Sequence, residues 1–157
     1  MSGVGFHVVG RPAPQGSKRH VGNGVMVESS KYVGTWRQAV TAAALRVRPA
    51  EPLDGPLHVI VAFTLARPKS APRRRRWPDT MPDLSKLVRA TEDAITDAGL
   101  WADDARVVSC HASKVWWPGE TALPVPGCVV AVGHDHGVFH LFDDTVAAAR
   151  QALESTS

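Results

Sequence analysis

The residues of this 157-residue chain that are best suited to chemistry are acidic side chains concentrated in one short segment. They are Asp83, Glu92, Asp93, Asp103 and Asp104. Carboxylates that gather near one spot repel each other, and a divalent cation removes that repulsion most simply. Mg²⁺ typically binds one or two protein carboxylates together with waters and a substrate phosphate. It also lowers the pKa of bound water and stabilises the charge that develops during phosphodiester cleavage, so the segment is compatible with that chemistry.

Basic residues stand in the same segment as the carboxylates. On a predicted helix, Ser85, Arg89 and Asp93 recur at intervals of four residues, so they share one outer face. Either Lys86 or Arg89 could neutralise a phosphate or the oxygen that leaves it. The segment therefore combines acidic and basic groups that could act on one phosphate.

Ordinary structural roles explain the same residues without any chemistry. Asp83 can close the first turn of a helix as part of a capping box. Arg89 and Asp93 can form a surface ion pair worth about 0.3–0.5 kcal/mol, and Asp103 and Asp104 can form a solvated turn. Spacing alone leaves both interpretations open.

The net charge of +3 conceals an uneven distribution along the chain. Residues 1–80 carry 13 basic and 4 acidic side chains, which gives +9, whereas residues 81–157 carry 5 basic and 11 acidic side chains, which gives −6. A basic half joined to an acidic half is typical of a surface that meets a polyanion beside a carboxylate cluster. Two sets of solvated surface charges would give the same numbers.

Two basic groups are candidates for contact with nucleic acid. The first lies in a proline-bounded loop over residues 67–79, and it consists of Arg73, Arg74, Arg75 and Arg76, with Trp77 beside them. The second is near the start of the chain and consists of Lys18, Arg19, His20 and Lys31. Such groups suit phosphate contacts whose affinity falls steeply with salt, although a solvated charge run is the ordinary alternative.

Hydrophobic periodicity predicts an α+β fold in a single domain spanning residues 1–157. The predicted strands are residues 4–9, 25–27, 56–66, 106–117 and 128–132, the first two forming a hairpin and the third a central buried strand. The predicted helices are residues 35–47, ended by Pro49, residues 84–98, ended by Gly99, and a short closing helix over residues 143–153 capped by Asp143 or Asp144. We expect a mixed β-sheet packed with two main helices.

Several classes of protein are excluded or disfavoured. No apolar run approaches the roughly 20 residues that a membrane-spanning helix needs, and residues 1–10 lack the pattern of a signal peptide. The two cysteines, Cys110 and Cys128, are too few for a disulfide framework. We therefore expect a cytoplasmic protein with no membrane partner.

Two further readings of the sequence are disfavoured. A zinc site is unsupported because no Cys-x-x-Cys pair is present, and residues 134–137 are expected to form a turn between two strands. Stacking on bases is less expected than packing in the core or at an interface for the tryptophans at Trp36, Trp101, Trp116 and Trp117.

The segment from residue 82 to residue 108 resembles the signature of the RusA family, Holliday junction resolvases encoded mainly by phages and prophages. That signature begins Pro-Asp-x-Asp-Asn-Leu, continues through Asp-Ala-Leu and ends Asp-Asp-x-Gln-Val. The corresponding runs here are Pro82-Asp83-Leu84-Ser85-Lys86-Leu87, Asp93-Ala94-Ile95 and Asp103-Asp104-Ala105-Arg106-Val107. The proline-rich residues 14–19 also resemble the N-terminal entry of phage members.

The resemblance implies a RusA-like fold and a homodimeric endonuclease that binds four-way DNA junctions by shape. Such an enzyme cuts two strands of like polarity with Mg²⁺ or Mn²⁺. Asp83 matches the first catalytic aspartate of the family and Asp104 the last. Asp103 matches the acidic neighbour of the last aspartate, and Asp93 matches the aspartate of Asp-Ala-Leu. The implied metal ligands are therefore these four carboxylates.

The same comparison assigns two basic residues and exposes one serious departure, besides Lys86 and Arg106 in place of the family's Asn and Gln. Arg89 stands where the family usually has its catalytic lysine, and it suits charge stabilisation because an arginine does not deprotonate. Lys114 falls on a lysine that the family often carries in the following strand. Ser85 replaces the second family aspartate, and we hypothesise that Asp103 or Asp93 supplies the missing charge. The alternatives are a weakened or inactive protein that still binds branched DNA, and a basic adaptor with no junction preference.

Overall fold

One mixed four-stranded sheet organises the chain. The computed structural model describes residues 3–16, 18–20, 22, 26–28 and 31–156, without the side chains of 18–20 and 26–28. The sheet contains β1 (Gly3–Val9), β4 (Leu57–Thr64), β5 (Val107–Val115) and β6 (Gly127–Gly133), and a separate ribbon contains β2 (Lys18–His20) and β3 (Met26–Glu28). The helices are α1 (Val33–Val47), α2 (Leu84–Ala98) and α3 (Val138–Glu154). The predicted α+β fold with a mixed sheet is confirmed.

The strand order β1-β6-β4-β5 places β4 inside the sheet and β5 at one edge. β4 runs parallel to β5 and antiparallel to β6, and seven of its eight residues are buried. The prediction of a central strand buried on both faces is therefore confirmed. Among the described residues β5 pairs only with β4, which leaves the outer edge of β5 without a strand partner.

Helices cover the sheet from both sides. On one side α1 and α2 pack against each other and share a core with Val59, Val61 and Phe63 of β4. On the other side α3 packs over β6 and β1, in a second core that includes Ile60 and Ala62. The alternation of β4 side chains between these cores follows from the two-residue period of a strand.

Two tryptophans donate hydrogen bonds to threonines of α2, the helix that contains most of the acidic segment. The indole Nε1 of Trp36 on α1 donates to the buried Thr91 Oγ1 at 3.1 Å, and Thr91 Oγ1 donates to Leu87 O at 2.9 Å. The indole Nε1 of Trp101 donates to Thr96 Oγ1 at 2.8 Å. Because Trp36 and Trp101 are both fully buried, the packing of the core sets where α2 lies.

The sequence located the main helices correctly. α2 occupies the predicted residues 84–98, and Gly99 ends it with a φ of 72°, a left-handed conformation that glycine adopts without strain. α1 begins two residues before the predicted start and ends at Val47 as expected. None of the described helices has the length and hydrophobicity required to cross a membrane.

The predicted N-terminal hairpin is wrong. β1 pairs antiparallel with β6, whereas β3 pairs with β2. The physical reason is that Phe6 and Val8 of β1 are buried in the main core, so this strand belongs to the large sheet. Val25, which the prediction included in the second strand, lies outside the described residues.

The prediction for the last helix is also wrong in its start and length. α3 begins at Val138 and has 17 residues, so Asp143 and Asp144 lie inside it rather than at its cap. Val138 and Phe142 extend the buried stripe of this helix by more than a turn toward its start. Residues 134–137 consequently join β6 to α3 and do not connect two strands.

Replacing Thr91 with Val should lower the free energy of unfolding by about 1–3 kcal/mol, because the buried indole N–H of Trp36 loses its acceptor. Urea denaturation measures the change. In a Trp36→Phe background the donor is absent, so the same substitution should cost much less. Equal costs in the two backgrounds would contradict a structural role for this hydrogen bond.

Candidate active site

Lys114 attaches the start of α2 to the end of β5. Its Nζ donates to the backbone carbonyls of Thr80 at 2.8 Å and Pro82 at 3.0 Å. These two hydrogen bonds fix the segment that leads directly into Asp83. An ammonium group has three donors, so one remains for another acceptor.

Asp83 occupies the N-cap position of α2 without acting as a side-chain cap. Its backbone carbonyl accepts the hydrogen bond from Leu87 N at 3.1 Å, but its carboxylate makes no capping hydrogen bond. The carboxylate Oδ2 instead lies 3.6 Å from the Nζ of Lys86, and both side chains are partly exposed. The capping explanation therefore accounts for the position of Asp83 in the chain but not for its carboxylate.

A second group of carboxylates lies beyond the end of α2. Asp103 accepts a hydrogen bond from Ala105 N at 2.7 Å and begins a short 3-10 turn that contains Asp104. That backbone hydrogen bond lowers the pKa of Asp103. The pKa of Asp104 is raised, first by its hydrogen bond with the Asp103 side chain, then by desolvation and by the charges of Asp103 and Asp93. Asp104 is therefore crowded by neighbouring negative charge.

Glu92 belongs to this second group, although the sequence assigned it neither as a metal ligand nor as a catalytic residue. Its pKa is raised, first by partial burial and then by the charges of Asp104 and Asp93, while Arg89 opposes the rise. The charge of Glu92 also acts on β5, where it adds to the desolvation that raises the pKa of the Cys110 thiol to about 11. The sequence signal for the role of Glu92 was its position on α2, between the stripe of buried residues and the exposed face of the helix.

The structure does not bring the four predicted metal ligands together within one chain. A helix rises 1.5 Å per residue, so the backbones of Asp83 and Asp93 are separated by about 15 Å along α2. Within the part of the chain that the structure describes, no three His, Cys, Asp or Glu side chains are placed to hold one metal ion. Asp83 lies near Lys114, whereas Asp93, Asp103 and Asp104 lie toward the opposite end of the helix.

Arg89 and Ser85 lie on the exposed surface of α2. Arg89 is placed between the two acidic groups along the helix axis, and its charge acts on Glu92. No ion pair joins Arg89 to Asp93 among the described side chains, so the surface-pair explanation does not apply in this structure. Ser85 follows Asp83 by two residues and presents a hydroxyl where a carboxylate was expected.

The structure describes all the side chains of the first predicted basic group but only part of the second. Arg73, Arg74, Arg75 and Arg76 are all exposed on the loop before α2, and Arg75 lies 3.5 Å from Asp79. Lys31 is exposed, with its Nζ 5.0 Å from the ring of Tyr32. The side chains of Lys18, Arg19 and His20 lie outside the description, although their backbones form β2.

The tryptophans divide into buried and exposed members. Trp36, Trp101 and Trp116 are buried, as expected for core packing. Trp117 is 41% exposed and Trp77 is 62% exposed, so core packing does not account for either. Cys110 and Cys128 are both free thiols, and burial raises the pKa of Cys128.

Comparison with known proteins gives one match. The family model described as Endodeoxyribonuclease RusA matches residues 9–123, which is more than half of the chain. The matched range contains both groups of carboxylates, Lys114 and the loop of residues 67–79 that carries Arg73, Arg74, Arg75 and Arg76, called here the arginine loop. No curated protein matches the chain.

Replacing Asp104 with Asn should raise the stability of the protein at pH 7, by about 0.5 kcal/mol or less for a surface repulsion. In the folded state the pKa values of Glu92 and Asp104 are raised, so their ionisation destabilises the fold as pH rises through their ordinary values. The gain should therefore disappear at acidic pH, where these groups are protonated. Urea denaturation over a series of pH values measures the difference in free energy of unfolding between the variant and the wild type.

The matched control is Asp97→Asn on the same helix. Asp97 Oδ2 lies 2.8 Å from Arg37 Nη2, so removal of this charge should lower stability or leave it unchanged. A loss of stability in Asp104→Asn that is larger at pH 7 than at acidic pH would contradict the repulsion.

Proposed function

Because the chain belongs to the RusA endodeoxyribonuclease family, we propose that it is a divalent-metal-dependent nuclease that resolves four-way DNA junctions. The reaction is paired hydrolysis of phosphodiester bonds during recombination and repair. The observation that carries the proposal is the family match over residues 9–123, which includes every acidic residue assigned above. The proposed location is the cytoplasm of a bacterial or phage-infected cell.

The carboxylates fit a hard divalent cation in their chemistry. Oxygen ligands suit Mg²⁺, which needs only one or two protein carboxylates besides water and phosphate. The raised pKa values of Glu92 and Asp104 indicate a concentration of negative charge that a cation would relieve. We assign Asp83, Asp93, Asp103 and Asp104 as ligands of Mg²⁺, with Mn²⁺ as a substitute. When bound, the ion supplies an activated water and stabilises charge on the phosphate.

The chain's own residues position the phosphate and the first carboxylate. Lys114 holds the carbonyls of Thr80 and Pro82, and its remaining donor is available to a phosphate oxygen near Asp83. Arg89 extends from the exposed face of α2 between the two acidic groups. Its guanidinium offers two parallel donors to a phosphate and keeps its charge at any pH of interest. Lys86 contributes a further phosphate contact beside Asp83.

We propose that a homodimer joins the two acidic groups. Lys114 connects the start of α2 to the end of β5, and Glu92 lies near Cys110, so α2 runs antiparallel to β5. The outer edge of β5 offers unpaired backbone groups to another strand. If two copies of β5 pair antiparallel around a two-fold axis, Asp104 of one protomer lies toward the end of β5 where the other protomer carries Asp83. A two-fold dimer also presents two equivalent sites to a four-way junction.

A second function is favoured by one specific observation. Ser85 is exposed in the first turn of α2, and a hydroxyl is a weaker Mg²⁺ ligand than the carboxylate that the family pattern has there. A protein with a weakened site would bind branched DNA through its basic loop without cutting it. Cleavage by the native protein decides between the two functions.

The native protein should cut four-way junctions in Mg²⁺ and not in EDTA, and linear duplex should be a poor substrate. Asp83→Asn and Asp104→Asn should each reduce cutting at least 100-fold while junction binding persists, because each removes a ligand and not a DNA contact. Binding by the native protein without any cutting would support the non-catalytic function and contradict the nuclease.

Mixing the two inactive variants tests the shared site. In a mixed dimer one site keeps both carboxylates and the other loses both, so about a quarter of the wild-type nicking rate should return. Sites contained within one chain would give no recovery, which would contradict the dimer arrangement and leave the nuclease proposal intact.

Changing Arg73, Arg74, Arg75 and Arg76 together to Ala should weaken junction binding and flatten its salt dependence, because each lost phosphate contact lowers the slope by about 0.9. Gel shifts over a range of salt concentrations measure both quantities. The control changes the same four residues to Lys, which keeps their charge and should keep the slope. An unchanged slope in the Ala variant would exclude the loop from the DNA interface.

A further inference from the structure

A groove of about 430 Å³ lies beyond the end of β5. One wall is the arginine loop and the other is residues 115–120. Its lining combines cations with aromatic rings, and the residues that matter are Arg67, Arg73, Arg75, Arg76, Trp77 and Trp117. Neither the family match nor the acidic site accounts for it.

Arg150 of α3 fixes the wall that carries Trp117. Its Nη2 donates to Gly119 O at 2.7 Å and to Glu120 O at 2.6 Å, and its Nε donates to Ala122 O at 2.9 Å. The guanidinium also lies 5.4 Å from the centre of the Trp117 ring. The segment that follows Trp117 is therefore attached to a packed helix by three hydrogen bonds to its backbone carbonyls.

Arg67 fixes the opposite wall. Its guanidinium lies 4.6 Å from the centre of the buried Trp116 ring, and its Nη2 donates to Pro72 O at 2.7 Å. A hydrogen bond from Arg75 N to Pro72 O, at 3.0 Å, shapes the next part of the loop. The loop then leads to Trp77, whose side chain is 62% exposed.

The chemistry of this groove selects its occupant. The exposed Trp77 and Trp117 line the same groove, so they are not single apolar side chains scattered over the surface. Indole rings beside arginines provide stacking surfaces for bases and charges for the backbone, which is the combination that binds single-stranded nucleic acid. Glu120 is the single acidic residue among those that line the groove. The net charge of the groove is therefore positive and complementary to phosphate.

We propose that the Trp77–Trp117 groove binds unpaired DNA bases next to the cut phosphodiester. The proposal rests on the proposed function, because it takes its substrate from the nuclease. Lys114 is adjacent in the chain to Val115 of the groove and holds the segment before Asp83. The groove therefore begins next to the residue that positions the segment before Asp83. Bases in an intact duplex are already stacked, so the groove selects for the unpaired region of a junction.

The experiment measures binding in EDTA, where no cleavage occurs, to a fluorescently labelled oligothymidylate and to an abasic strand of the same length. The wild-type protein should bind the strand with bases at least about fivefold more tightly, and that strand alone should quench tryptophan fluorescence. The double variant Trp77→Ala/Trp117→Ala should lose this preference and keep its affinity for the abasic strand. Trp77→Phe/Trp117→Phe, which keeps aromatic faces, should retain most of the preference.

The outcomes separate base stacking from phosphate binding. Equal affinity of the wild type for the two strands would overturn the proposal, because the groove would then be a phosphate site only. A Trp77→Ala/Trp117→Ala variant that stays monomeric at concentrations where the wild type is a dimer would overturn it too, since a second copy of the chain would then cover the groove. A protein that shows the base preference but fails to cut junctions would overturn the nuclease and leave the groove assignment standing.

Discussion

The rigid length of α2 is the constraint on which the arrangement of acidic residues depends. An intact helix keeps Asp83 and Asp93 about 15 Å apart, and aspartate side chains are too short to close that gap around one cation. The helix cannot be displaced cheaply, because the buried indoles of Trp36 and Trp101 donate to its threonines. One chain therefore presents two separate acidic groups, which the proposed homodimer would bring together.

Like charges lie close together both in the acidic part of the chain and in its basic part. Burial and then the charges of Asp104 and Asp93 raise the pKa of Glu92, and the Asp103 side chain is the first cause that raises the pKa of Asp104, so folding brings together charges that would be more stable apart. The exposed arginines on the loop before α2 likewise gain nothing from their mutual proximity. Both repulsions fall when a cation meets the carboxylates and phosphates meet the arginines. The uneven charge distribution thus causes electrostatic repulsion in the isolated protein, and the proposed complex with a cation and DNA would reduce it.

The sequence predicted the elements whose signals are local and missed features that depend on long-range packing. α1, α2 and β4 each have an apolar pattern confined to their own residues, and their positions were correct. The partner of β1 depends on where β6 enters the sheet, which no pattern near residue 6 reveals. The sequence grouped Glu92 with the aspartates, but the rise in its pKa, which comes first from burial and then from the charges of Asp104 and Asp93, depends on the fold. Trp116 and Trp117 are adjacent in sequence, but only one of them is buried.

The position of β6 in the sheet has a consequence for how the chain divides into parts. β6 lies between β1 and β4, and α3 packs over it, yet both elements follow residue 123, where the family match ends. The matched range therefore does not include the strand that pairs with both β1 and β4. A chain cut after residue 123 would leave the facing edges of β1 and β4 without hydrogen-bond partners and the second core without its helix.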